Sequence, residues 1–522
     1  MSPCSQCRCT TAHSTAPALE VLARLSLCWV RLRCLKVCGT RCYNHAMISR
    51  DIFKNLSCID HRYSLSESSV FDGLSRCLSE EAAVSSCAKC EAALVKSHLK
   101  QAGKLTPSIE AALDEAAASV SPQEVYDEEE KTRHNIRALV NVMKQKVPPA
   151  LAPLVHLGAT SVDILDTAMA LRMKEAVRCV VLPELIKLEQ VLCELTVRYS
   201  DTPQVGRTHG QHAVPITFGW ALAEFVSRLG KSILKMNELS RHLAGKLSGP
   251  VGSYNGLSLI TADPEELERI YVGFLGLEAS EYSNQLAEPE ALLRLLLEMN
   301  VAFGIVANLA DDLRHLQRSE IGEVFEGFEA TQVGSSTMPQ KRNPWNSEHV
   351  KSLWKAFSPR VVTFYMDQIS EHQRDLTNSA SQRFVADYVA GFTMAISRMR
   401  SVLATLTADE EAMRGNLERS GGKVKGGVLA ESAYILLAQA GESDAHEVVR
   451  RITLEAEREG ATFFEALRAH EGVYQKIACQ LEKTTGERAD EFFSHPANYA
   501  GRAEAKAKRL AEKYLKLMEG LE

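Results

Sequence analysis

The stretch "EALLRLLLEMNVAFGIVANLADDLRHLQRSE", residues 290–320, decides what kind of molecule this is. Its first half is apolar on nearly every side, and a helix apolar all round is a buried one. Run as one helix, about thirty residues make a rod roughly 45 Å long. Other stretches read the same way. "ITFGWALAEFVSRLGKSILKMNELSRHLAGK" (216–246) repeats apolar residues every three or four positions, with Pro215 placed to open the helix. "DTAMALRMKEAVRCVVLPELIKLEQVLCELTVRYS" (166–200) reads as helix with a boundary or kink near Pro183, and "VKSLWKAFSPRVVTFYMDQI" (350–369) as helix broken at Pro359. Rods of this length are stabilised by lying alongside one another, so the expectation is an all-α bundle. They also carry more apolar surface than one short bundle covers, which points to oligomerisation. No alternating block could build a large sheet, and there is no heptad repeat or low-complexity tract.

From the long rods the reading extends outward. Residues 47–178 form shorter helical segments broken at Pro107, Pro122 and Pro148-Pro149, 179–405 the long-helix bundle, and 406–522 a further helical domain. Residues 1–46 are a leader with Glu20 as its only acid and half of the chain's 14 cysteines. It reads either as an Arg-rich targeting segment or as sequence upstream of a start at Met47. Cys4/Cys7 and Cys87/Cys90 have metal-like spacing, but no cluster completes a four-ligand set, so no metal is expected. Cys87 and Cys90 also fall one helical turn apart, where they share a face. The scattered remaining cysteines suggest a reducing compartment and a cytoplasmic location. At 522 residues and a formal charge of -6, the chain has the size for two or three domains and lacks a nucleic-acid binder's basic field. No uninterrupted apolar run reaches the eighteen or so residues of a membrane span.

Polar stretches punctuate the rods. "TRHNIRAL" (132–139) carries His134, and "HLGATSVDILDTA" (156–168) carries His156, Thr160 and Ser161. The hydroxyls, or Asp163, are placed to cap the helix that follows; equally, a helix N-terminus with hydroxyls can receive a carboxylate. "VGRTHGQHAVPITFG" (205–219) sets His209 between Thr208 and Gly210, where a loop could present a structural or a catalytic imidazole. "GSSTMPQKRNPWNSEH" (334–349) combines hydroxyls, Lys341, Arg342 and Asn343 with Pro339 and Pro344, and Gly334 is expected to permit unusual backbone angles. A solvated basic loop is the bland alternative. "QRDLTNSASQRF" (373–384) offers Arg374, Ser379 and Arg383, which suit a phosphate or an exposed helix face with ordinary ion pairs.

Together these stretches resemble the fumarase/aspartase superfamily, whose signature GSSxMPxKxNP is matched at every fixed position by "GSSTMPQKRNP". The likeness runs over roughly residues 50–520. It implies a three-domain, all-helical subunit whose central long-helix bundle forms a twenty-helix core in a homotetramer, with each active site built from three subunits. Within the superfamily the chain is most similar to the adenylosuccinate lyase branch. "RTHGQHAVPITFG" is similar to RTHGxxAxPxTFG, "TRHNIRAL" to an RHD segment with Asn135 for Asp, "KLSGPVGSYNGL" to KxSGAVGT with Pro250 and Ser253 as departures, and "QRDLTNSASQR" to RDxxxSxxxR. The region after Asn284-Gln285 departs from that branch's Arg-containing pattern. Carboxymuconate cycloisomerases share wording with "HLGATSVDILDTA" but usually have Trp at His209 and lack the Arg374/Ser379/Arg383 set. Argininosuccinate lyases share only the Met-Pro-Gln-Lys wording of the loop. A non-catalytic, crystallin-like descendant is the reading of another class, and Ser335 with His209 argues against it.

The resemblance implies elimination of fumarate from a purine nucleotide, with no cofactor. Ser335 is then the base and His209 the acid. Thr160 and Ser161 hold succinyl oxygens, and His134 supports the site together with His156 and Gln285. Arg374, Ser379 and Arg383 take the phosphate. Lys341 and Asn343 suit the carbanion, because cations and amide donors aimed at developing charge are a large catalytic effect. The 334–349 stretch is expected to act as a lid carrying base and clamp together.

Overall fold

The computed structural model describes residues 55–328, 331 and 334–521. The leader and its Cys4/Cys7 pair lie outside them. The described chain is predominantly helical; its extended pairings among the described residues are three two-stranded sheets and one isolated antiparallel bridge between Ser283 and Ala287. The helices that matter below are α1 (Glu80–Gln101), α2 (Asn135–Lys146), α3 (Ser161–Ala176), α4 (Leu182–Arg198), α5 (Phe218–Arg241), α6 (Glu290–Leu316), α7 (Trp345–Phe357), α8 (Val385–Ala404) and α9 (Ala503–Glu519).

Sequence dictates where these rods start and bend. Between α3 and α4, Val177–Val181 is one π turn in which Leu182 N–H reaches Val177 O. That wider turn sits directly before Pro183, whose missing N–H makes it tolerable only in a helix's first turn. The rod expected over 216–246 is shorter at both ends. Thr217 caps it, its hydroxyl accepting from Trp220 N at 3.1 Å, so α5 begins at Phe218 and Pro215 lies in a strand instead. It stops at Arg241, and Ala244–Gly245 pairs in parallel with Glu278–Ala279. The rod expected over 290–320 ends at Leu316.

α5 packs on α4, α6 and α9; α6 packs on α7 and α8; and α8 closes onto α4. Leu296, Met299, Phe303, Val306 and Ala310 follow the helical period along α6, and all are buried. A fully buried side chain of the larger kinds contributes roughly 1.5–3 kcal/mol, which is why this helix can be apolar nearly all round. By length and composition alone α6 would also pass for a membrane span, yet much of it is buried within the bundle. A second, smaller core gathers Leu417 to Phe493 and includes Val205, while the last helix returns to the first core through Ala511, Tyr514 and Met518. Cys87 and Cys90 are buried in the first core, and no disulfide is formed among the described cysteines.

One charge sits badly in this bundle. Glu189 of α4 is fully buried, and neither carboxylate oxygen has a hydrogen-bond partner. A methyl added at Gly230 of α5 would strike the Tyr514 ring at 2.3 Å and Glu189 Oε1 at 2.9 Å, so the acid is wedged between α4, α5 and α9. Burial raises its pKa well above the usual carboxylate value. The folded state therefore holds a proton that the unfolded state releases as pH rises past the ordinary glutamate range, and stability is lost with rising pH. Glu189→Gln should accordingly melt higher than wild type at pH 8, with the advantage shrinking at pH 5. Equal melting curves at both pH values would contradict this.

Candidate active site

The backbone marks the site before any side chain does. Among the described residues, the non-glycine residues with left-handed φ are Arg133, His156, His209, Tyr254, His372 and Arg374. Such angles cost free energy and persist where surrounding structure imposes them, often at functional sites. Here Arg133, His156, His209 and Arg374 fall inside the polar stretches singled out from the sequence, and Tyr254 falls in "KLSGPVGSYNGL".

The structure brings one group of these stretches together. Thr160 is the N-cap of α3, and its N–H donates to Asp163 Oδ2 at 2.8 Å, so the capping role is real. Asp163 does more than cap. Fully buried, its carboxylate is ion-paired with the equally buried Lys246 and accepts from Ser248 N and Gly249 N, both at 3.2 Å. Thr167 and Lys246 exchange two further bonds, and Ser248 Oγ meets Ser283 Oγ at 2.6 Å. On the next turn Asp166 accepts from Ala287 N at 2.9 Å. Loss of solvation pushes the Asp166 carboxyl up to about 6, against the pull of that bond, Lys246 and Arg374. Gln285 N donates to Gln373 O at 3.1 Å. Thr160, Ser161, Gln285 and Arg374 thus converge on one corner of the subunit. Sequence reading missed Lys246, placing it at a helix end, and saw Asp163 only as a cap.

Arg374 is partly committed inside this corner. Its Nη groups donate to the carbonyls of Asp367 (2.8 Å) and Gln368 (3.0 Å), and its Nε has no acceptor. The segment around it is a run of turns ending in the 3-10 turn Ser381–Phe384, not a helix face. Ser379 and Arg383 are exposed. Burial and the Glu80 carboxylate push the Tyr126 hydroxyl up to about 12 while the Arg383 charge opposes them, which places Arg383 beside the helix leading to His134. His134 is itself the N-cap of α2, Nδ1 accepting from Arg137 N at 3.2 Å.

His209 stands at a hairpin tip. The strands β1 (Pro203–Thr208) and β2 (Gln211–Thr217) make an antiparallel hairpin, with His209 (φ 54) and Gly210 (φ 72) as its two-residue tip. Positive φ at both central positions is the turn whose twist suits a hairpin. The imidazole is exposed there. The hairpin's base is fixed by Glu323, fully buried, which receives Arg207 Nη2 at 2.5 Å, Gln204 Nε2 at 2.7 Å and Asn416 Nδ2 at 2.9 Å.

The signature loop forms a third place. Ser335 Oγ accepts from Met338 N at 3.0 Å and Thr337 N at 3.3 Å. Asn343 Nδ2 donates to Gly334 O at 3.0 Å, and Lys341 is exposed. Gly334 is required for a reason other than the one expected: its φ is not left-handed, but a methyl there would lie 2.4 Å from Lys341 O. Glu326 ties the loop's two ends, accepting from Ser347 N (2.8 Å), Ser347 Oγ (2.5 Å) and Asn346 N (3.2 Å) at the start of α7. Within the described subunit no hydrogen bond or ion pair joins His209 to Ser335.

Comparison with known proteins matches residues 62–356 to the lyase family and residues 370–488 to the adenylosuccinate lyase C-terminal family. The adenylosuccinate lyase of Pyrococcus abyssi is 32% identical over 470 residues, covering 89% of this chain and 98% of that protein. That of Archaeoglobus fulgidus is 29% identical over 464 residues, covering 87% and 97%. Among solved structures, the 3-carboxy-cis,cis-muconate lactonizing enzyme of Pseudomonas putida superposes with a TM-score of 0.71 at 25% identity, over 85% of this chain and 97% of that one. A fumarate lyase from Mesorhizobium sp. BNC1 superposes at 0.70 with 23% identity over 84% and 97%, a likeness of fold alone. The superpositions give the architecture, while the matched C-terminal family and the relatives in sequence select the branch: the chain belongs to the adenylosuccinate lyase family of carbon–nitrogen lyases.

Proposed function

We propose that the protein cleaves adenylosuccinate to fumarate and AMP, and succinyl-aminoimidazole carboxamide ribotide to fumarate and the carboxamide ribotide. The observation that carries the chemistry is the pair of backbone N–H groups donating to Ser335 Oγ. A serine hydroxyl is a poor base in water, and donors aimed at its oxygen favour the alkoxide over the alcohol. Ser335 removes the proton from the succinyl carbon β to nitrogen. The electron pair spreads into the adjacent carboxylate, met by Lys341 and Asn343. Collapse of that carbanion forms the fumarate double bond as the C–N bond breaks, and His209 gives the departing nitrogen its proton.

Thr160 and Ser161, at the N-terminus of α3, hold carboxylate oxygens. His134, His156 and Gln285 complete the pocket. Arg383 and Ser379 meet the phosphate, with Arg374 shaping the turn that presents them. Acid and base come from different chains of a homotetramer, a reading supported by the exposure of His209 at the hairpin tip. The same reading divides the subunit at residues 178 and 405 and places it in the cytoplasm, in keeping with the lack of disulfides among its described cysteines. The test is the ultraviolet absorbance change of adenylosuccinate with purified protein, with carboxymuconate as control. Turnover of the muconate and not of adenylosuccinate would assign the chain to the cycloisomerase reaction.

A further inference from the structure

Glu91 lies on α1, fully buried, in a run that the sequence pattern reads only as helical. Its Oε1 is 2.7 Å from Nδ1 of His156, and its Oε2 has no hydrogen-bond partner. Two helical turns further on, His98 Nε2 meets the carbonyl of Leu157 at 3.0 Å. A carbonyl only accepts, so His98 Nε2 is the donor, and burial lowers the pKa of that ring. One face of α1 therefore holds residues 156–157 through two side chains, one on the His156 ring and one on the Leu157 carbonyl. His156 is held at φ 63 by this grip, four residues before the cap of α3.

A carboxylate only accepts, so Nδ1 of His156 carries the hydrogen and Nε2 is the nitrogen left to face away from α1. Placing an acid in the core solely to hold a loop is an expensive choice, because a neutral amide could hold it too; an amide, however, can donate as well as accept and so leaves the tautomer of His156 open, which a carboxylate does not. We propose that Glu91 is a positioning residue for the lyase reaction: it fixes the ring and tautomer of His156 so that Nε2 is directed at an anionic oxygen of the substrate, either a succinyl carboxylate or the phosphate. The proposal rests on the function given above and adds a residue to it.

The experiment uses the full chain, steady-state cleavage of adenylosuccinate, and inhibition by fumarate and by AMP. Glu91→Gln is expected to lower kcat/KM at least about tenfold, the usual scale for removing a partner that orients a functional histidine. Glu91→Asp, which keeps the charge but withdraws it by one methylene, is expected to fall between the two. In a His156→Asn background, Glu91→Gln should change kcat/KM less than about twofold, since its effect passes through the imidazole. Weakened inhibition by fumarate alone assigns Nε2 to the carboxylate end, and weakened inhibition by AMP alone assigns it to the phosphate; either supports the proposal. Additive losses in the double variant, or a Glu91→Gln protein with wild-type kcat/KM and inhibition, would overturn it. If Glu91→Gln does not fold, Glu91→Asp carries the same cycle. If the wild-type protein does not cleave adenylosuccinate, the proposed function fails separately, and the cycle is read from fumarate and AMP binding by calorimetry.

Discussion

Ser335→Ala and His209→Ala are each expected to lower kcat on adenylosuccinate by about 10²- to 10⁴-fold, the scale of one positioned proton transfer. The two losses have different physical origins. Ser335→Ala removes the oxygen that the Thr337 and Met338 N–H groups address, so on the proposed mechanism abstraction of the carbon-bound proton would lose its acceptor. On the same mechanism His209→Ala would leave the carbanion chemistry in place but deny the departing nitrogen its proton. Neither side chain is in a core, His209 being exposed and Ser335 half-buried, so circular dichroism and assembly should match wild type. Near-normal turnover at saturating substrate in either variant would remove that residue from its role.

Asp163→Asn should produce the largest loss of stability. The substitution strands the fully buried Lys246 ammonium without its counter-ion, and one amide oxygen must replace a carboxylate serving Thr160, Ser248 and Gly249. Breaking a buried pair from one side costs about 3–5 kcal/mol, because the remaining charge is left uncompensated. Urea unfolding followed by circular dichroism checks it. Asp163→Asn/Lys246→Met should be less destabilised than Asp163→Asn alone, since it removes the stranded charge. A double variant worse than the single one would show that the corner is held by hydrogen bonds to Lys246 and not by its charge.

The bundle was legible because its signal is periodic: α6 announces itself in "EALLRLLLEMNVAFGIVANL", and the prolines at 107, 122, 183 and 359 fall at helix starts and breaks. What periodicity could not reveal was the hairpin. "PQVGRTHGQHAVPIT" alternates too weakly to show as strand, and its register depends on a two-residue turn and on Glu323, more than a hundred residues away. The polar stretches stood out by composition, and the left-handed residues Arg133, His209 and Arg374 fall within TRHN, RTHG and QRD. Glu91, Lys246 and Glu323 stayed hidden for one reason. A charged residue in a helical or loop pattern looks solvated until the fold shows which distant group it pairs with.

The central claim is that acid and base meet only between chains. Inactive His209→Ala and Ser335→Ala proteins would be mixed in equal amounts, dissociated, reassembled and assayed for release of fumarate from adenylosuccinate. If each site takes His209 from one subunit and Ser335 from another, each group is intact with a chance of one half, and roughly a quarter of the sites regain both. Recovery toward a quarter of wild-type activity is the expected result. Persistent inactivity, with mixed assemblies demonstrated by native mass spectrometry, would show that His209 and Ser335 serve one site from one chain and would contradict the account.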